Sequence, residues 1–394
     1  MHHRVVLKKG KEHSLQVNHH PWIFSGAIDS ISESLSAGDL AYVYSKEGVL
    51  LGQGYFHPGN SLAGRMLSLD DRPIEQVLKT KIERAFSLRK ALFDQHQTNC
   101  FRCINAEEDG LPGLVADLYL DHLVVQIGTL GMEKLKALFL PLLQTIIQPV
   151  SIYEKSLSSS RLQEGLLPFE GLLLGAKPSS VVVLEEKIPF SVSIIGGQKT
   201  GFFLDQREMR KKIGQLAKGK NVLNCFAYSG GFSLHALHGG AKKVISVDIC
   251  PRASELCRKN SEELNGFSSS IHSIIQEDVF SFLEREDLSS YDLIILDPPA
   301  FAKKRQDIDS AAKGYRKLNQ AVMERCKKGT ILLTCSCSYF MDTGLFKQIL
   351  FQAASAAGRE SVSILSNHIQ ALDHPVSLYH PEGDYLKSFI LLID

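Results

Sequence analysis

Two cysteines, Cys335 and Cys337, stand out first in this chain of 394 residues, in the run Thr334-Cys335-Ser336-Cys337-Ser338. The run closes an apolar stretch, GTILLTCS at 329–336, so it sets a thiol at the carboxyl end of an expected strand. A thiolate there can add to carbon 6 of a pyrimidine, which makes carbon 5 nucleophilic enough to take a methyl group. A lone strand cysteine is more often buried and inert. The neighbouring run alters that balance, because YDLIILD ends in Asp297-Pro298-Pro299-Ala300-Phe301. Two prolines make a rigid exit from a sheet and remove two backbone donors. They would hold Asp297 at the bottom of a cleft, facing a flat heteroaromatic substrate. Of the two thiols the more distal, Cys337, is read as the nucleophile and Cys335 as packing.

An earlier run, NVLNCF, leads into Asn224-Cys225-Phe226-Ala227-Tyr228-Ser229-Gly230-Gly231-Phe232. Small residues there let backbone approach a ligand closely before the next helix starts. The pattern is not the G-x-G-x-x-G of dinucleotide enzymes. Two further runs end in Asp248, placed to accept hydrogen bonds from ribose hydroxyls, and Asp278, placed for an adenine amino group. Acidic strand ends without a pyrophosphate fingerprint favour S-adenosylmethionine (SAM) over NAD. The bland reading makes Gly230-Gly231 a turn and the two aspartates helix caps.

These residues need a scaffold, and the chain offers one. From about 220, apolar β-like runs at 221–226, 243–248, 271–278, 291–297 and 329–336 alternate with helix-length stretches. That alternation predicts a doubly wound parallel sheet, with ligands at the carboxyl ends of its strands. Residues 1–72 read instead as short strands and turns, a small β-rich module. Residues 73–195 read as an α+β unit with helices at 73–94 and about 131–147. The C-terminal part, 196–394, carries the sheet.

Composition narrows the classes. Hydrophobic residues make up 44% and charged ones 22%, which argues against disorder. The net charge of +1 argues against a uniformly basic nucleic-acid coat. Basic residues nevertheless cluster at 199–220 (seven against two acidic) and at 301–328 (nine against three), both adjoining the expected cleft. Lys303, Lys304 and Arg305 directly follow the Asp-Pro-Pro turn, so an RNA backbone is the expected partner. Trp22 and Phe24 could stack bases or simply be core. The N-terminal MHHRVVLKKGKEH has no apolar core of a signal peptide, and the greasiest stretch, 135–150, is too interrupted for a membrane span. Eight cysteines are too sparse for a disulfide scaffold, and Cys100 and Cys103 lack a second pair for zinc. A cytoplasmic protein without membrane or metal is expected.

The segments TGFFLDQR (200–207), NCFAYSGGF (224–232), SVD (246–248), DPPAF (297–301), SCS (336–338) and DHPV…PEGDYLKSF (373–389) resemble the RlmI family. These are SAM-dependent 23S ribosomal RNA cytosine-5 methyltransferases. HPWIFSGAI (20–28) and AEEDGLPGLVAD (106–117) extend the resemblance along nearly the whole chain. It implies an N-terminal PUA domain for RNA, a central α+β domain and a C-terminal Rossmann-like class I methyltransferase. It also implies 5-methylcytosine as the product, with Cys337 the nucleophile and Asp297 orienting or protonating the ring. The cofactor site would comprise Asn224, Phe226, Tyr228, Gly230, Asp248, Asp278 and Asp297, with Phe203, Asp205 and Gln206 from TGFFLDQR. Pro298, Pro299, Phe301, Lys303, Lys304 and Arg305 would meet the substrate.

Two positions depart from the family pattern. Ala300 stands where lysine is frequent, and Cys335 where a bulky apolar residue is frequent. The base that removes the carbon-5 proton has no assignment. Competing readings are a SAM-dependent methyltransferase of another acceptor, a non-catalytic RNA-binding ribosome-assembly factor and, more remotely, an NAD oxidoreductase. A homodimer is compatible with the sequence.

Overall fold

The computed structural model describes residues 3–178, 180–302 and 304–394. Lys303 therefore lies outside the described residues. By contacts the chain divides into two compact units. The first comprises Met1–Val183, Val192–Phe202 and Leu372–Gly383, and the second Leu184–Ser191, Phe203–Ala371 and Asp384–Asp394.

The first unit contains two sheets. Six short strands between His3 and Ser68 form one, closed over a core of Val5, Leu7, Ile23, Val43, Phe56 and Met66. Five strands, Cys100–Asn105, Leu114–Tyr119, His122–Ile127, Ser151–Ser156 and Phe169–Gly175, form the other. The helix Ile74–Leu92 buries Val77, Leu78, Ile82, Ala85 and Phe86, the face its apolar spacing predicts. The helix expected at 131–147 is broken in two, Leu130–Lys134 and Lys136–Ile147, with Leu135 as the joint. The side chain of Thr129 caps the first piece by accepting from Met132 N.

Two buried aspartates organise this unit. Asp117, 1% exposed, accepts from Arg102 Nε at 2.8 Å and from Thr200 Oγ1 at 2.6 Å. The Tyr119 hydroxyl lies 2.8 Å from Thr200 Oγ1 and accepts from Phe202 N at 3.1 Å. The start of TGFFLDQR is thereby tethered. Asp373, of the DHPV segment, accepts from Arg102 N at 2.8 Å, while Arg89 donates to its carbonyl at 2.8 Å. The DHPV segment is thus a structural anchor.

In the second unit seven strands form one sheet: β1 (Asn221–Cys225), β2 (Lys243–Asp248), β3 (His272–Gln276), β4 (Leu293–Leu296), β5 (Thr330–Ser336), β6 (Val362–His368) and β7 (Lys387–Ile393). Their order is β3-β2-β1-β4-β5-β7-β6. The first five run parallel, and β7 is antiparallel between β5 and β6. Strand order reverses between β1 and β4, and the crevice outside such a switch point is where open α/β sheets take ligands. The helices that concern the site are α1 (Arg207–Leu216), α2 (Gly231–His238), α3 (Pro251–Arg258), α4 (Val279–Arg285), α5 (Ile308–Arg325) and α6 (Thr343–Ala356). The core gathers β-branched and leucine side chains of β1, β4 and β5 with Tyr315, Leu318 and Val322 of α5.

Two expectations need correction. The third run ends at Gln276, so Asp278 lies beyond the strand, where it caps α4 by accepting from Ser281 N at 3.0 Å. The basic segment 199–220 also presents less charge than its count. Arg207 and Arg210 are 1% and 2% exposed and point inward at Glu185. Glu185, fully buried, ends the strand Ser180–Glu185 of a hairpin with Ile188–Ser193. It accepts from Arg210 Nε at 2.6 Å and from Arg210 Nη2 at 2.5 Å. Burial would raise its pKa, but the Arg210 guanidinium and His235 hold it well below the usual carboxylate range. His235, 3.0 Å from Glu185 Oε1, has its own pKa lowered, first by burial. We take this contact as a neutral hydrogen bond, since Arg210 already balances the carboxylate.

Replacing Glu185 with Ala strands a buried guanidinium, so it should cost about 3 to 5 kcal/mol, read as a lowered urea midpoint. Glu185 has a lower pKa folded than unfolded. Its contribution is therefore present above the unfolded carboxyl pKa and lost as pH falls below that. The wild type and the variant should converge in stability with acidification.

Candidate functional site

The carboxyl edge of the sheet gathers most of the expected residues. Asn224, the penultimate residue of β1, is 1% exposed and donates from Nδ2 to Ser233 Oγ at 2.8 Å. Its Oδ1 is buried without a protein partner. Beyond β1 the chain turns sharply, and Phe226 and Tyr228 take left-handed backbone conformations (φ 60° and 46°). Non-glycine residues held there carry strain, which concentrates at ligand-binding turns. Gly230 (φ 83°) starts α2, where an added Cβ would come within 2.6 Å of Cys257 Sγ, so packing demands glycine. From the π-helical turn Lys259–Leu264, Asn260 donates to Ser229 O at 3.0 Å and steadies this loop.

Asp248, the last residue of β2, holds the same loop. Its two oxygens accept from Tyr228 N at 2.8 Å and Cys250 N at 2.9 Å. Each carboxylate oxygen has a further lone pair, so the residue can still accept from hydroxyls. Asp278 is exposed, with Oδ1 engaged in its cap. Phe203 sets its ring edge against Tyr228, with centroids 5.1 Å apart. Asp205 is buried; its Oδ2 accepts from the Tyr385 hydroxyl at 2.7 Å, and its carbonyl accepts from Ala371 N at 2.9 Å.

The expected thiols and the Asp-Pro-Pro turn lie at the ends of β4 and β5. Gln206 Nε2 donates to Asp297 Oδ1 at 3.1 Å, joining TGFFLDQR to the Asp-Pro-Pro turn. The partly exposed Cys337 sets its Sγ 3.9 Å from the Pro298 carbonyl. Cys335 is fully buried, and its thiol is pushed well above the ordinary value, first by burial and then by the charge of Asp297. It stays protonated. Pro298 is buried, whereas Pro299, Lys304 and Arg305 are exposed. Phe301 packs on Tyr315, with ring centroids 4.6 Å apart, so the structure gives it a packing role within the loop. Ser338 clamps the same region: its Oγ accepts from Ala302 N at 3.2 Å and lies 3.1 Å from the Tyr315 hydroxyl.

One residue that the sequence reading left out stands beside this cluster. Lys387, 3% exposed, opens β7 and donates to the carbonyls of Ser338 (2.8 Å) and Tyr385 (2.7 Å). The signal was there: a lone lysine begins KSFILLI, which is apolar from Phe389 onward.

Comparison with known proteins identifies the family. Residues 171–368 match the family model of S-adenosylmethionine-dependent methyltransferases, and residues 5–69 match a PUA-like domain. The chain is 38% identical over 390 residues to ribosomal RNA large subunit methyltransferase I of Aliivibrio fischeri, covering 98% of each chain. It is 39% identical over 391 residues to the protein of that name from Vibrio cholerae, again covering 98% of each. This chain belongs to the ribosomal RNA large subunit methyltransferase I family. A SAM-dependent methyltransferase of Streptococcus mutans shares the fold along the whole length of both chains, with a TM-score of 0.83 at 23% identity. Membership makes SAM the cofactor, and the residues present suit it. The unpartnered Asn224 Oδ1 and Gln206 Oε1 and the accepting Asp248 offer polar contacts for a nucleoside. Among the described residues no helix is long and apolar enough to cross a membrane.

Exposure separates the two thiols of the SCS region. Iodoacetamide should label Cys337 in the native protein at least about tenfold faster than Cys335, the difference vanishing in denaturant, as peptide mass spectrometry would record.

Proposed function

We propose that this chain transfers the methyl group of SAM to carbon 5 of a cytosine in RNA, with 23S rRNA the substrate molecule, through an adduct between Cys337 and carbon 6. The observation that carries the reading is the pairing of a partly exposed Cys337 with the Asp-Pro-Pro turn while Cys335 is sealed in the core. The Cys337 sulfur bonds to carbon 6, and the electrons of the 5,6 double bond move to carbon 5. When bound, SAM would supply that carbon with an electrophilic methyl group, its sulfonium becoming the neutral thioether. A base then removes the carbon-5 proton, the sulfur–carbon bond breaks, and the double bond and the thiolate return. Asp297, held by Gln206, orients the ring.

Asn224, Phe226, Tyr228, Gly230, Asp248 and Asp278, with Phe203, Asp205 and Gln206, line the cofactor side in this reading. RNA as the acceptor is supported by the relatives' names, by the PUA-like match and by the exposed Lys304, Arg305, Lys313 and Arg316 beyond the Asp-Pro-Pro turn. The target cytosine has to leave its stack to reach the thiol, which favours a single-stranded or incompletely folded site. We retain 1–72, 73–195 and 196–394 as the functional parts, acting on RNA in the cytoplasm.

Cys337→Ala should lower methyl transfer to rRNA by more than about a thousandfold while SAM affinity by calorimetry stays within about twofold. Cys335→Ala should keep transfer. The reversed pattern moves the nucleophile to Cys335, and activity in the double variant replaces the cytosine-5 reading with an acceptor that needs no thiol. Removing Lys304 and Arg305 together should weaken RNA binding and flatten its log–log salt dependence by about one to two units, with SAM binding unchanged.

A further inference from the structure

Lys387 has no part in the reaction as described, yet it is nearly buried against the turn that carries Cys337. In the antiparallel pairing of β5 with β7 it stands opposite Ser336. Its Nζ reaches past that partner to the Ser338 carbonyl, so contacts on both sides bracket Cys337 in sequence. Both recorded acceptors, the carbonyls of Ser338 and Tyr385, are neutral. An ammonium taken out of water is compensated only in part by carbonyl dipoles, and nearby anions relieve the remaining cost.

We infer that Lys387 is the positioning residue of Cys337: its ammonium fixes the turn after β5 and stabilises the thiolate form of the nucleophile. The inference rests on the reading of Cys337 as the attacking group. The titratable groups that face the ammonium are Asp384, just before its own strand, Cys337 after β5, and Asp342 at the start of α6. Burial pushes the Lys387 pKa down to about 8, against the upward pull of those three. The charge is therefore retained at neutral pH and lost above about 8. Formation of the thiolate releases one proton to solvent and places a negative charge beside the ammonium, so each group favours the ionised form of the other. The arginine side chain keeps the charge at this position and the methionine side chain removes it at similar length.

The test follows alkylation of Cys337 by iodoacetamide against pH, read on its own peptide by mass spectrometry in the full chain. In the wild type the midpoint should lie below the ordinary cysteine value of about 8.5. Lys387→Met should raise it by about one unit, slowing alkylation at pH 7 about tenfold, and Lys387→Arg should restore it. A wild-type midpoint at or above 8.5 overturns the inference, as does an unchanged midpoint in a Lys387→Met protein that still binds SAM. Should Lys387→Met not fold, the wild-type midpoint decides. The reading of the reaction stands or falls separately: Cys337→Ala that still methylates sinks the nucleophile, whereas a dead Cys337→Ala with a titration blind to Lys387 sinks this inference alone.

Discussion

The register between β4 and β5 is the constraint on which the site depends. Leu296 pairs with Thr334 across the parallel ladder, so the chain leaves both strands at the same edge and nearly the same level. Asp297 is one residue past one partner and Cys337 three past the other. Parallel strands point the same way, which puts both exits at the carboxyl edge. A slip of one residue would exchange inward and outward side chains, and a slip of two would set Cys337 where Cys335 now lies. The two prolines make the β4 exit rigid, and Ser338 then ties the β5 exit to Ala302 and Tyr315.

Within each unit, polar groups position the chain. Glu185 draws Arg210 inward, Asp117 and Tyr119 hold Thr200 and Phe202, and Asp248 accepts from the loop after β1. Such groups are costly to bury alone, and each is satisfied here by backbone amides or guanidinium groups. The strained turn at Phe226 and Tyr228 depends on this support, since left-handed conformations persist only where surrounding contacts over-determine them.

The membership in a SAM-dependent methyltransferase family and the sheet order agree for a physical reason. A sheet ordered β3-β2-β1-β4-β5-β7-β6 opens its crevice between β1 and β4. The residues proposed for the cofactor lie after β1 and β2, and the proposed thiol and carboxylate lie after β5 and β4. In the proposed reaction, methyl donor and acceptor would meet over that one edge.

Much of this was legible in the sequence. Buried parallel strands are continuous apolar runs, so β1 to β5 stood out, and residues just beyond such runs mark the ligand edge. Asp297, Cys337, Asp248 and the Asn224–Gly230 loop were found that way, and the SCS and Asp-Pro-Pro motifs lie where that reasoning puts them. What local pattern does not contain is which way a long side chain turns. Arg207 and Arg210 count as surface charge in sequence, but Glu185, more than twenty residues upstream, draws them into the interior. Asp278 is a helix cap because β3 stops at Gln276, a boundary that depends on pairing with β2. Lys387 was passed over for a similar reason: a lysine opening an apolar strand gains its meaning from the strand beside it. The sequence by itself determined the succession of the five parallel strands and most of the residues that lie at their ends, because those follow from local hydrophobicity and turn residues. Only the tertiary structure decided which charges are buried, which thiol is sealed and which cation stands by the other, because those depend on contacts between residues far apart in the chain.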